Sequence, residues 1–235
     1  MAGPEGTPLG SGTVARPTYP SPGEPRPAAL PPEERTVGQL VAESIHAYGA
    51  RFLPCLALGV GPAAIAVLTV HVSRTVWLIL APTAVAAILS VSFTAASVIV
   101  LEHRPSRGRL VVAWACGWLV LAPLPFLVLA FVLPGLAWLA AFALVVPVIV
   151  VEELSPRAAL ARAWRLARAD YVHALGSLAT LAIVVFLTQA VLAFLLRGAG
   201  GAAIWVAYVL ANVVVSPLLF LGTALLYVDQ SARVK

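Results

Sequence analysis

The sequence predicts an all-α integral membrane protein, with six transmembrane helices in three hairpins and two interfacial amphipathic helices. Three observations predict it. First, 61% of the 235 residues are hydrophobic and only 11% are charged, and mean hydropathy is +0.97. Soluble domains carry roughly 45–50% apolar and about 25% charged residues. A water-soluble globule of this size could not hide the surplus. Second, beyond Arg51 the charges cluster between long charge-free runs, and about 20 apolar residues cross a bilayer as a helix. Third, the basic residues between the runs fall almost entirely on one side. This composition excludes a soluble enzyme, a disordered protein and a nucleic-acid binder. The net charge of +5 then belongs to loops held against anionic lipid. Fourteen of the fifteen basic residues are Arg, which with the Ala, Val and Leu excess suggests a GC-rich bacterial genome.

Residues 1–35 carry nine prolines and five glycines and no apolar signal-peptide segment. They are expected to form a disordered cytoplasmic tail, partly in polyproline II conformation. The run PTYPSPGEPRP has the composition of a proline-motif ligand; the plainer reading is a solvated leader.

Residues 36–50 predict the first interfacial helix. Thr36 and Gln39 have capping-box spacing. Val37, Leu40, Val41, Ser44, Ile45 and Tyr48 share one face, and Gln39, Glu43 and His46 the other.

The charge-free runs are 52–73, 75–101, 110–151, 171–196 and 198–228. The third is long enough for two spans, and VLPG at 132–135 supplies a turn. The predicted spans are 52–72, 76–101, 110–131, 134–151, 172–196 and 203–228. Prolines at 62, 82, 123, 125, 147 and 217 fall inside them. Membrane helices tolerate such prolines where neighbours satisfy the freed carbonyls; Pro123 with Pro125 is the strongest kink candidate. One side of the membrane receives eleven Arg and Lys from Arg35 to Lys235, and the other only Arg74 and Arg197. The positive-inside rule then puts both termini in the cytoplasm. No loop beyond residue 51 is long enough for a soluble catalytic domain.

Residues 155–170 predict the second interfacial helix, with Ser155 as N-cap and Pro156 in the first helical position. At about 100° per residue, Arg157, Arg162, Arg165 and Arg168 fall within an arc of about 140°. Leu160, Ala163, Trp164 and Ala167 lie roughly opposite. Trp164 is expected at headgroup level with the arginines facing phosphate or water. The arginines either set topology alone or bind an anionic lipid or an acidic partner.

Segment 98–114 aligns without a gap on 148–164. Val98, Ile99, Val100, Glu102, Ala113 and Trp114 match Val148, Ile149, Val150, Glu152, Ala163 and Trp164. Each hairpin thus starts near an arginine (Arg51, Arg109, Arg168) and ends at an acid (Glu102, Glu152, Asp229). These are expected to pair around the inner rim. Parallel repeats occur in transporters and in plain scaffolds.

No span centre contains Asp, Glu, Lys or Arg, the usual mark of coupled transport. Gln189 and Asn212 fall in the outer halves of spans five and six, and Ser216 follows Asn212 at i+4. They read as interhelical hydrogen bonding, or as a small substrate site. Ser90, Ser92, Thr94 and Ser97 read as packing residues. Cys55 and Cys116 have no metal-ligand spacing. No HExxH or GxSxG occurs, so no catalytic residue, metal or cofactor is expected.

Three segments resemble a known family: VGQLVAESIHAYGARFLP, PVIVVEELSPRAALARAWRLARADY and SPLLFLGTALLYVDQSARV. They are similar to the bacterial multi-pass family named for the membrane domain of glycerophosphoryl diester phosphodiesterases. The resemblance covers about residues 36–234. It is carried most specifically by Glu152, Ser155, Pro156, Ala159, Leu160, Ala163, Trp164 and Leu166, and by Tyr227 with Asp229. Gln230 and Ser231 stand where the family has Leu-Arg. In the fused enzymes a separate soluble barrel does the chemistry, and this chain reaches Lys235 without one. The resemblance therefore implies a fold and an accessory role, not phosphodiesterase activity. The expected function is a non-enzymatic accessory or lipid-interacting role, with a small transporter or permease subunit as the rival. Anionic membrane lipids and a membrane protein are the expected partners.

Overall fold

The computed structural model describes residues 31–197 and 201–234, without the side chains of Val70 and of 201–204. The expected tail over 1–30, loop residues 198–200 and Lys235 lie outside the described residues. The packed unit begins at Pro31, so 31–35, expected in the tail, belong to it. They form a short turn over Pro32–Glu34 and lead into α1 (Val37–Ala50). The capping box forms as the spacing predicts. Thr36 Oγ1 accepts from the Gln39 amide at 3.4 Å, and Gln39 Oε1 accepts from the Thr36 amide at 2.8 Å.

Among the described residues the regular structure is entirely helical. Six helices are long and apolar enough to cross a membrane: Phe52–Thr69, Arg74–Leu101, Arg107–Ala130, Val132–Glu152, Tyr171–Leu196 and Trp205–Arg233. Most are bent. The first divides at Gly59 into α2 (Phe52–Leu58) and α3 (Val60–His71). The second consists of α4 (Arg74–Leu80), a π-helical turn over Ala81–Val85 holding Pro82, and α5 (Ala86–Leu101). The third breaks at Pro123, as expected, into α6 (Arg107–Leu121) and α7 (Leu124–Ala130). The fourth breaks ahead of Pro147, between α8 (Val132–Phe142) and α9 (Val145–Glu152). α10 (Pro156–Ala169) precedes the one long unbroken helix, α11 (Tyr171–Leu196). The last pair, α12 (Gly201–Val215) and α13 (Pro217–Arg233), meets at Ser216. Each bend is proline chemistry, because proline offers no N–H to the carbonyl four residues earlier; at Gly59 the proline is Pro62, which leaves the Leu58 carbonyl to Ser92.

α5, α9 and α13 form the centre, with α6 against α5 and α9, and α1 and α11 against α13. Val145 to Val150 of α9 are all buried. Small residues allow this closeness, as in membrane bundles generally. A Cβ on Gly59 would collide with the Val213 backbone of α12, and one on Gly117 would strike Ser90 of α5.

Tryptophans satisfy bent backbone. The indole N–H groups of Trp118 and Trp114 donate to the carbonyls of Pro82 and Ala87, both at 3.0 Å. That of Trp138 donates to Val120 at 2.7 Å. Span-two hydroxyls also bridge to neighbouring helices: Ser92 donates to the Leu58 carbonyl at the bend of the first span at 3.0 Å, and Ser90 to the Trp114 carbonyl within α6 at 2.6 Å.

The sixth span continues past the expected end at 228 as far as Arg233. Asp229, expected at the membrane edge, is therefore fully buried. Neighbouring α1, α10 and α11 pack against α13, and its last turn finds polar partners in Arg35, Asp170 and His173.

Candidate functional site

The Arg-rich end of the bundle holds the charged chemistry. α10 packs across it, against α8, α9 and α13. Ser155 occupies the N-cap position with extended backbone, but its side chain makes no capping bond. Pro156 removes one of the amides that would need a cap, which lessens the demand.

The buried face of α10 is Ala159, Ala163, Leu166 and Ala167, all at 0% exposure. This differs from the predicted apolar face. Leu160 and Trp164 remain 43% and 41% exposed. Three alanines and Leu166 thus form the side packed against α8, α9 and α13, and Leu160 and Trp164 lie on the flank. Trp164 stacks on Phe142 at 5.7 Å, and the Arg168 guanidinium lies 5.5 Å from its ring centroid. Arg157, Arg165 and Arg168 are exposed. Arg162 is turned inward, its Nε donating to both carboxylate oxygens of Glu152 at 3.1 and 3.2 Å. A groove of about 320 Å³ opens beside α10, lined by Leu119, Trp138, Phe142, Arg157 and Leu160.

The three acids expected at the inner rim each pair with an arginine. Arg51 bridges the ends of the first hairpin, donating to Glu102 and to the Ile99 carbonyl. Glu152 takes Arg162 rather than Arg109, and accepts from the Tyr227 hydroxyl at 3.1 Å. Arg109 donates instead to the Leu154 carbonyl at 3.2 Å. Asp229 takes Arg35 at 2.8 Å, not Arg168, and lies 3.9 Å from His173. The third hairpin is closed by a pair that spacing did not suggest, Asp170 with Arg233. Gln230 ties in by donating to the Asp170 carbonyl at 3.1 Å. Thus each hairpin is clasped at its base by an arginine that joins its two ends.

The repeat is visible here as two sharp turns. Glu102 and Glu153 both adopt left-handed backbone, at φ 52° and 49°, where α5 and α9 end. The second turn uses Glu153, not the aligned Glu152, because one residue, Leu154, replaces the longer link over 103–105 before the next serine-started helix.

Gln189 and Asn212 come together, as their depths suggested. The Gln189 amide donates to Asn212 Oδ1 at 3.1 Å, Asn212 donates to the Tyr208 carbonyl at 2.8 Å, and Ser216 donates to the Asn212 carbonyl. These groups largely satisfy one another. Cys55 is buried and Cys116 half-buried, both as free thiols. Among the described residues no group of three or more His, Cys, Asp or Glu is placed to hold a metal.

Fold and rim together define a class: an all-helical chain with six helices long and apolar enough to cross a membrane. No family model matches the chain, and no curated protein or solved structure matches it.

Proposed function

We propose that this chain is a non-enzymatic, multi-pass protein of the cytoplasmic membrane with both termini in the cytoplasm. In this reading α10 lies at the inner interface and engages anionic headgroups, in a lipid-interacting or accessory role. One observation carries the proposal. α10 is docked by its alanine face yet leaves Arg157, Arg165 and Arg168 exposed beside Leu160 and Trp164. An apolar flank next to a basic one suits the headgroup boundary.

Membership in the glycerophosphodiesterase membrane-domain family is part of the proposal. In support, the residues that carry the resemblance have structural work in one place: Ala159, Ala163 and Leu166 dock α10, and Glu152 meets Tyr227. The absence of a catalytic motif from the sequence supports the non-enzymatic reading.

The test is lipid selectivity of the full chain, reconstituted with spin-labelled phosphatidylglycerol or phosphatidylcholine. The variant replaces Arg157, Arg165 and Arg168 with Gln and keeps Arg162 for Glu152. The wild type is expected to prefer phosphatidylglycerol, more at low salt than at high salt, where screening shortens to about 10 Å or less. The variant should lose about fivefold or more of that preference, since each interfacial arginine is worth about 1 kcal/mol. Unchanged selectivity would remove the headgroup role of α10.

A further inference from the structure

Three grooves meet on α5 close to the Arg-rich rim, away from α10. The first, about 470 Å³, is lined by Arg51, Pro54, Val98, Ile99, Glu102 and Arg104. The second, about 350 Å³, runs between the first span and α5, from Pro54 and Ile99 down to Gly61 and Ile88. The third, about 450 Å³, lies between α5 and α6, from Ile99 and Leu110 to Val91 and Trp114. Ile99 borders all three, and Val91 and Ala95 border both deeper ones.

We propose that these grooves form one binding site for an anionic diacyl phospholipid, with its phosphate at Arg104 and Arg51 and one acyl chain on each side of α5. Charge selects the headgroup. Arg51 already neutralises Glu102, so Arg104, which is exposed, leaves the mouth with one net positive charge. The walls below are apolar, and their hydroxyls are spent within the bundle: Ser92 on the Leu58 carbonyl and Thr94 on that of Ser90. Depth also matches. Ile88 to Ile99 spans about 16 Å of helix, against about 15 Å for half of a ~30 Å hydrocarbon core. A partner helix, about 10 Å across, would cover α5 along a single line. Two grooves diverging from one charged mouth fit a two-chain lipid, and a free phosphate would leave both unfilled. The site uses no residue of α10 and stands apart from the proposal above.

Photo-crosslinking locates the lipid directly. The full chain is placed in phosphatidylcholine discs holding a trace of either phosphatidylglycerol or phosphatidylcholine with a diazirine in the acyl chain, and cross-linked peptides are mapped. Phosphatidylglycerol is expected to label residues 88–114 about fivefold more than phosphatidylcholine does, one arginine's contribution. Arg104→Gln should bring the two to near parity. Ala95→Phe, which adds bulk at the wall the two grooves share, should abolish the labelling. The α10 triple variant should leave it unchanged, and excess glycerol 3-phosphate should not compete. Equal labelling by the two lipids in the wild type would overturn the site. So would wild-type labelling in both Arg104→Gln and Ala95→Phe, or competition by glycerol 3-phosphate. Loss of this labelling in the α10 variant alone would overturn this site and leave the α10 reading standing.

Discussion

Asp229 illustrates what individual residues do in this protein. Its carboxylate is fully buried, and Arg35 reaches it from 194 positions away at 2.8 Å. A buried ion pair gains little over an apolar pair of the same shape, but breaking it strands a charge. Arg35→Ala should therefore cost about 3–5 kcal/mol, read as a lowered thermal midpoint of the purified chain. Adding Asp229→Asn to that variant should restore most of the loss. A double variant no more stable than Arg35→Ala would show that the pair does not hold the rim together. Sequence spacing identified the acid and the hairpin end to which it belongs. It could not identify the partner, because Arg35 lies in what composition marks as tail.

Among the elements, the bends and close contacts decide the packing. The first span is divided at Gly59, where the Val213 backbone of α12 occupies the space of a side chain. Gly59→Ala should force the two helices apart and cost about 1–3 kcal/mol, the usual range for overpacking. Gly108, in the first turn of α6, has no neighbouring atom within 4 Å of the place a Cβ would take, so Gly108→Ala should be neutral or slightly stabilising. Comparing the thermal midpoints of the two variants checks this: equal effects would mean that the α3–α12 contact is not tight. Proline positions made the bend at Pro123 legible in the sequence. Pro82 was legible in the same way, but the donor to its turn, Trp118, was not, since it depends on α6 lying alongside. α10 shows the same division. Its arginine arc and helical span follow from residue spacing, whereas the face that docks depends on the fit of alanines against α9.

For the whole molecule, the asymmetry of charge leads to a topological prediction. Reporter fusions at each end of the chain, one active only in the cytoplasm and one only outside it, should place both ends in the cytoplasm. A fusion after Arg74 should read outside. Ends on opposite sides would refute the even number of crossings, and with it the three-hairpin arrangement. That arrangement is also what the three basal clasps require: Arg51 with Glu102, Arg109 with Leu154, and Arg233 with Asp170 each join the start and finish of one hairpin. They bring the charged ends to one face and leave the apolar grooves beside α5 and α10 open along the spans.

The helical class, the six apolar segments, the capped start of α1 and the basic face of α10 are all written in the order of the residues. They follow from composition, periodicity and local hydrogen bonding, which act over a few positions. Folding in three dimensions settled the rest: which arginine meets which acid, which flank of α10 remains exposed, and that three grooves converge at Ile99. Those outcomes depend on which surfaces of separate hairpins come into contact. In a chain whose spans are all apolar, steric fit between small and large side chains makes that choice, and linear spacing does not encode it.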